Sequence, residues 1–176
     1  KGMLNTDFGF INQVFLGGAH VPWLDNGLLA KLSILGVNLW LGFPYMFLVC
    51  LGALQSLPGD IEEAAKIDGA SGLRTVWSIK LPLVLQSTVP LLIASFAFNF
   101  NNFSLIYMLT GGGPNYPGLS VPVGESDILI SMVYKIAIDS GSPNYGLASA
   151  MSIVIFIVVG VIAWLGFRQT KTLEEL

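Results

Sequence analysis

Apolar residues run through three stretches of the chain, residues 32–59, 81–124 and 140–167, in which no Asp, Glu, Lys or Arg occurs. Each exceeds the roughly 20 residues that an α-helix needs to cross about 30 Å of hydrocarbon. Turn residues set the limits of the elements. Residues 1–28 mix Asp7, Asn12, Gly17, Gly18, His20, Pro22 and Asp25 with short apolar pieces, and read as a loop with one or two short turns. The first spanning helix is predicted over 29–56, capped by Asp25 or Asn26, with the Trp23 indole at the interface. Gly42 and Pro44 lie in its middle, where the proline ring frees the Trp40 carbonyl and leaves it in need of another partner.

Residues 57–82 break the apolar pattern with seven charges, Asp60, Glu62, Glu63, Lys66, Asp68, Arg74 and Lys80. Acidic residues ahead of Lys66 suit the helix dipole, and Gly69 suits a C-cap. A second short helix after Ser71 places Leu73, Val76, Trp77 and Ile79 on one face and ends at Leu81-Pro82. The second span is predicted over 83–110, kinked at Pro90 and stopped by Gly111-Gly112-Gly113-Pro114. A loop over 111–145 follows, with Pro117, Pro122 and Pro143. It holds a short stretch, 127–138, that is apolar nearly all round yet carries Asp127 and Lys135, and is expected to be an interfacial or re-entrant helix. The third span is predicted over 146–168, with Gly146/Ala150 and Ala148/Ser152 as small pairs that permit close helix packing, and residues 169–176 form a tail. The pattern as a whole is that of an all-α, polytopic transmembrane helical bundle.

Composition sharpens this picture. Hydrophobic residues make up 53% and charged residues 11% of the 176, against about 25% charge in an ordinary soluble domain. A soluble globular monomer is thereby excluded. One cysteine excludes a disulfide scaffold, a net charge of −3 excludes a nucleic-acid binder, and 11 Phe, 4 Trp and 5 Tyr exclude a disordered tail. Cys50, inside the first apolar window, is expected to be a buried structural thiol. His20 has no ligand-spaced Cys or carboxylate around it and is expected to be a loop residue, with no metal and no cofactor implied. The chain opens without an initiator Met, a charged n-region or an A-x-A site, so a piece of a longer protein is expected rather than a signal peptide. Lys66, Arg74, Lys80, Arg168 and Lys171 on one side, against Lys1, Lys31 and Lys135 on the other, place residues 57–82 and the tail in the cytoplasm, with 1–28 and 111–145 outside.

Two constellations carry candidate chemistry. On an ideal helix with Ser95 at zero, Thr88 falls at about +20°, Asn99 at about +40°, Asn102 at about −20° and Phe98 beside them at about −60°. Asn101, at about −120°, and Ser104, at about 180°, fall off this stripe. The stripe is open to two readings: interhelical hydrogen bonding, or a site for a neutral ligand whose hydroxyls meet amides while aromatic rings, Phe98 and Tyr45 beside the Gly42/Pro44 break, pack on its faces. It holds no ionisable residue, which disfavours ion or proton coupling. Nor is there a Ser/His/Asp set or a phosphate loop, so hydrolysis by this chain alone is not expected and it is not read as an enzyme. The second constellation is Glu63-Ala64-Ala65, three residues, Gly69, nine residues, then Ile79-Lys80-Leu81-Pro82.

That spacing resembles the EAA loop of the membrane subunits of bacterial ABC importers, in which a cytoplasmic coupling helix docks into a cleft of the ATPase subunit. The resemblance implies that Glu63, Ala64, Ala65, Gly69, Ile79, Leu81 and Pro82 form the ATPase-coupling element. Ile93-Ala94-Ser95-Phe96-Ala97-Phe98-Asn99-Phe100-Asn101-Asn102-Phe103 with Leu109-Thr110-Gly111-Gly112-Gly113-Pro114, and Asn38-Leu39-Trp40-Leu41-Gly42-Phe43-Pro44-Tyr45-Met46 in the first span, resemble the larger permease subunits of maltose/maltodextrin importers. The resemblance runs from about Leu4 to the end of the third span. It implies a type I ABC importer permease fold, of which this would be the C-terminal part, in the bacterial inner membrane. It further implies substrate contacts at Gly42, Tyr45, Ser95, Phe98, Asn99, Asn102 and Ser104. The implied partners are a sister permease subunit, an ATPase dimer, a periplasmic maltose-binding protein and maltose or maltodextrin, besides the lipid bilayer and with no nucleic acid. A permease for another sugar, a membrane-embedded enzyme and a pore are the alternatives. The EAA loop is shared across substrates, no catalytic constellation speaks for an enzyme, and a pore would conduct without nucleotide.

Overall fold

The computed structural model describes residues 1–119, 121 and 123–174, with side chains as far as Arg168. Pro122 of the predicted loop, the Lys171 side chain and the last two residues of the tail lie outside the described residues. A 3-10 turn, Gly2–Leu4, and a π turn, Ile11–Phe15, precede helix α1, Gly27–Gln55. Then come α2, Gly59–Ile67, and α3, Gly72–Thr75, which passes through a π turn at Val76–Lys80 into α4, Leu81–Phe100. After a break, α5 covers Phe103–Leu109, α6 Leu129–Tyr134 with a π turn at Lys135–Asp139, and α7 Tyr145–Glu174. No strand occurs among the described residues beyond one isolated bridge, Asn115 to Gly124. Three helical stretches are long and apolar enough to span a membrane, Gly27–Gln55, Gly72–Phe100 and Tyr145–Arg168.

The chain divides into two compact bodies, residues 1–41 with 98–160, and residues 42–97 with 161–176. In the first, Val133 and Ile136 from α6 and its π turn meet Ala148 and Ile155 of α7, with Phe100, Met132 and Met151 packed against them. Ahead of α1, the loop is built on a polar centre. The fully buried Asn12 donates through Nδ2 to the carbonyls of Asn5, Thr6 and Val21 at 3.0–3.3 Å and accepts the Trp23 indole N–H at 2.7 Å. A buried amide left unpaired costs about 1–3 kcal/mol, so this satisfaction holds the loop in one form. Of the two candidate caps, Asn26 takes the role: its Oδ1 accepts from the amides of Leu28 and Leu29. Asp25 instead accepts the Thr6 hydroxyl at 3.0 Å.

The 111–128 loop is stitched tightly within the same body. Ser126 Oγ donates to the Gly113 carbonyl and to Thr110 Oγ1, and the Glu125 carboxylate packs against Gly27, where a Cβ would collide with it. A carboxylate at the first residue of α1 also complements the helix dipole, and Lys31 lies 3.6 Å away. Asp127 and Lys135, whose charges were the reason to expect an interfacial helix, form an ion pair of 2.8 Å with side chains only 4% and 5% exposed. The second Asp127 oxygen accepts the Ser131 hydroxyl, and the Gly124 amide donates to the first. The two charges thus neutralise each other inside this body.

In the second body, the hairpin over 59–80 turns through a Schellman motif: Gly69, with φ +74°, follows α2, the Ala70 amide bonds the Ala65 carbonyl and the Gly69 amide that of Lys66. Ser71 Oγ then caps α3, accepting from the Arg74 amide. The π turn at Val76–Lys80 is separated by one residue from Pro82, whose missing N–H interrupts the bond ladder. Pro44 and Pro90 are carried inside α1 and α4. Cys50, expected to be buried, is exposed on α1, because the apolar surface of that helix is not covered by this chain. The close approach of α7 to α4 falls at Gly166, where a Cβ would stand 2.9 Å from Ile93 Cδ1.

Candidate functional site

The polar stripe on the second span is interrupted by the backbone. An ideal wheel assumes one helix over 83–110, but α4 ends at Phe100 and α5 begins at Phe103. Asn102 is the N-cap of α5, with φ −76° and ψ 69°, and its Oδ1 accepts from the Leu105 amide at 3.3 Å. An Asn carbonyl reaches a backbone N–H three residues on and so competes with helix continuation, which is why the sequence breaks here. The amides of Asn101 and Asn102 close the end of α4 with bonds of 3.2 Å to the carbonyls of Phe98 and Asn99. Ser104, in the first turn of α5, therefore has no fixed phase relative to Ser95, and the wheel's 180° does not describe it. Thr88, another member of the stripe, is buried and donates its hydroxyl to the Val84 carbonyl of its own helix at 2.8 Å.

The remaining candidate ligand residues fall in both bodies. Gly42, Tyr45 and Ser95 belong to 42–97, where Tyr45 is exposed and a Cβ at Gly42 would meet no atom within 4 Å. Phe98, Asn99, Asn102 and Ser104 belong to 98–160. There Phe98 presents an exposed ring, and Asn99 lines a cavity of about 410 Å³ together with Phe100, Gly124, Asp127, Leu129 and Met132. That volume lies within the range of small-molecule sites, about 300–1,000 Å³. Asp127, which lines this cavity, is not among the ligand residues expected from the sequence. The available signal was a pair of opposite charges eight residues apart in an otherwise apolar stretch, since a buried ionisable group demands a named partner.

The EAA-like residues sit together on the hairpin. Glu63 and Ala64 are exposed on α2, Ala65 is buried, and Gly69 makes the turn in the left-handed region. Ile79 and Leu81 are half-buried where the π turn enters α4, with Pro82 exposed beside them. Ile67, Leu73 and Trp77 leave a large apolar surface open on the same hairpin. Glu62, not singled out from the sequence, accepts Lys80 Nζ at 2.6 Å across the hairpin and Lys66 at 3.3 Å along α2. These two ammonium groups, Lys80 foremost, hold its carboxyl below the usual carboxylate range.

Comparison with known proteins places this architecture. The family model for binding-protein-dependent transport system inner membrane components matches residues 8–171. The maltose/maltodextrin transport system permease proteins MalF of Vibrio parahaemolyticus and Vibrio cholerae are each 47% identical over 178 residues, 99% of this chain and 34% of theirs. That of Yersinia pestis is 44% identical over 97% of this chain and 33% of its own length. The chain thus spans about a third of the length of the curated relatives it matches. Its fold is that of a bacterial ABC transporter involved in the import of the acidic polysaccharide alginate, whose crystal structure aligns with TM-score 0.81 over 97% of this chain and 57% of the other at 20% identity. With the family model covering nearly the whole chain, and three helices able to cross a bilayer, the chain belongs to the binding-protein-dependent transport system inner membrane components and is a multi-pass protein of the inner membrane.

Proposed function

We propose that this chain is part of the permease subunit of an ATP-driven importer that passes maltose or maltodextrins across the bacterial inner membrane. The observation that carries the reading is the identity of nearly half the residues, along 99% of the chain, with permeases of maltose/maltodextrin transport. Gly42, Tyr45, Ser95, Phe98, Asn99, Asn102 and Ser104 contact the sugar. Amides and hydroxyls replace the hydrogen bonds that its hydroxyls lose on leaving water, while the exposed rings of Tyr45 and Phe98 take up its apolar faces. None of the seven is Asp, Glu, Lys, Arg or His, in keeping with a neutral cargo.

On this reading the hairpin over 57–82 and the residues beyond 168 face the cytoplasm, and 1–28 and 111–145 face the periplasm. Glu63, Ala64, Ala65, Gly69, Ile79, Leu81 and Pro82 form the surface that meets the ATPase. A sister permease, an ATPase dimer and a periplasmic maltose-binding protein complete the assembly. ATP-driven closure of the ATPases displaces α2 and switches the sugar site from outward to inward access. Uptake of labelled maltose by cells expressing the full-length gene with its partner genes tests the reading. Accumulation is expected, with competition by maltodextrins. Normal growth and assembly without uptake of maltose, but with uptake of a different sugar, would transfer the assignment to that sugar.

A further inference from the structure

The hairpin contains a contact that the coupling surface does not use. Glu62 and Lys80 are separated by 18 residues in sequence, yet Lys80 Nζ lies 2.6 Å from Glu62 Oε2. The Lys80 side chain is only 25% exposed, whereas that of Lys66, the partner of the other oxygen, is 68% exposed. Glu62 lies in the first turns of α2, and Lys80 is the last residue before α4. Between them the chain reverses through Gly69 and Ala70, a turn held by main-chain bonds near one end of the hairpin. A rod joined to another at a single turn is free to pivot about it. A second attachment remote from the turn removes that freedom. Neighbouring carboxylates thereby divide the work, Glu63 lying exposed while Glu62 reaches across to the base of the span.

We propose that the Glu62–Lys80 ion pair is a positioning strut that makes α2 and α4 move as one body, so that a displacement imposed on α2 reaches the spanning helix. The proposal rests on the coupling role assigned to the hairpin above. Lys80 foremost, with Lys66, lowers the Glu62 carboxyl from its ordinary value, which favours the charged form that the strut needs. The test uses the full-length protein with its partner subunits in proteoliposomes, measuring maltose uptake and ATP hydrolysis in the same vesicles. In Glu62→Gln and Lys80→Met, hydrolysis stimulated by the loaded binding protein is expected to continue, while sugar moved per ATP falls by about fivefold or more. The exchanged pair, Glu62→Lys with Lys80→Glu, is expected to recover most of the ratio, a recovery that a general loss of folding would not show. An unchanged ratio in both single variants, a proportional fall of hydrolysis and uptake, or failure of the exchanged pair to recover would each overturn the strut. A wild-type complex without nucleotide-dependent uptake would instead overturn the coupling reading, and the strut with it.

Discussion

At Asn102 one side chain serves the backbone before it can serve a ligand. Its Oδ1 closes the first turn of α5, and loss of such a cap costs about 0.5–2 kcal/mol. Asn102→Ala is therefore expected to lower the thermal stability of the purified assembly by that order, whereas Asn102→Ser keeps a capping oxygen and most of the stability. If Asn102 also binds sugar, the Ser variant will be nearly as stable as wild type yet poor in maltose uptake, since its shorter side chain reaches less far. Full uptake in the Ser variant would leave the residue with its capping role alone. The sequence made the residue types of this stripe legible but not their phase, because a wheel takes one helix for granted and an Asn pair is where that assumption fails. Asp127 and Lys135 teach a related lesson. In the sequence they mark a short helix as interfacial or re-entrant; in the fold they meet in a short ion pair that is nineteen-twentieths buried. Removing one partner of such a pair costs about 3–5 kcal/mol, so Lys135→Met is expected to abolish or severely weaken assembly, measured by recovery of the complex in detergent. Arg at position 135 should retain it.

Among the elements, the three long apolar helices and the helix-turn-helix of the hairpin were legible because each is bounded by residues with a backbone meaning, Pro58 before α2 and Gly69 after it. The 111–128 loop was not, since its order comes from contacts distant in sequence. Gly111 and Gly112 separate two causes there. Both have positive φ, +63° and +84°, but a Cβ at Gly111 meets open space, while one at Gly112 would run into the Asp127 carboxylate and the Lys135 ammonium. Gly111→Ala is expected to cost about 1–2 kcal/mol of backbone strain. Gly112→Ala is expected to cost visibly more, by displacing the buried ion pair. Thermal unfolding of the two variants, compared side by side, checks the difference; equal losses would mean that the ion pair moves aside without penalty.

For the molecule as a whole, orientation in the membrane is the expectation most directly open to measurement. In a Cys50→Ala background, single cysteines at Asp68 and at Asn115 are expected to react with impermeant thiol reagents from opposite faces, Asp68 from the cytoplasm and Asn115 from the periplasm. Labelling of both from one face would contradict the proposed topology. Cys50 must be replaced first because it is exposed on α1. Periodicity could not group the candidate sugar residues, since Gly42 and Tyr45 sit at least fifty residues before Ser95 on a separate helix.

The exposed apolar surface of the spans has a consequence for any measurement of stability. Trp40, Leu39 and Phe43 on α1, Phe98 on α4, and Phe156 and Trp164 on α7 are all open, while among the described residues the buried apolar ones are few and small or aliphatic. The reference state for this chain is therefore set by its surroundings: lipid, detergent or neighbouring subunits are reactants in its folding equilibrium. By mass action, whatever binds these faces in the folded form raises the apparent melting temperature with its concentration. A melting temperature for the isolated chain would report the detergent as much as the protein, and the quantity with intrinsic meaning is the free energy of the assembled complex at stated subunit and lipid activities.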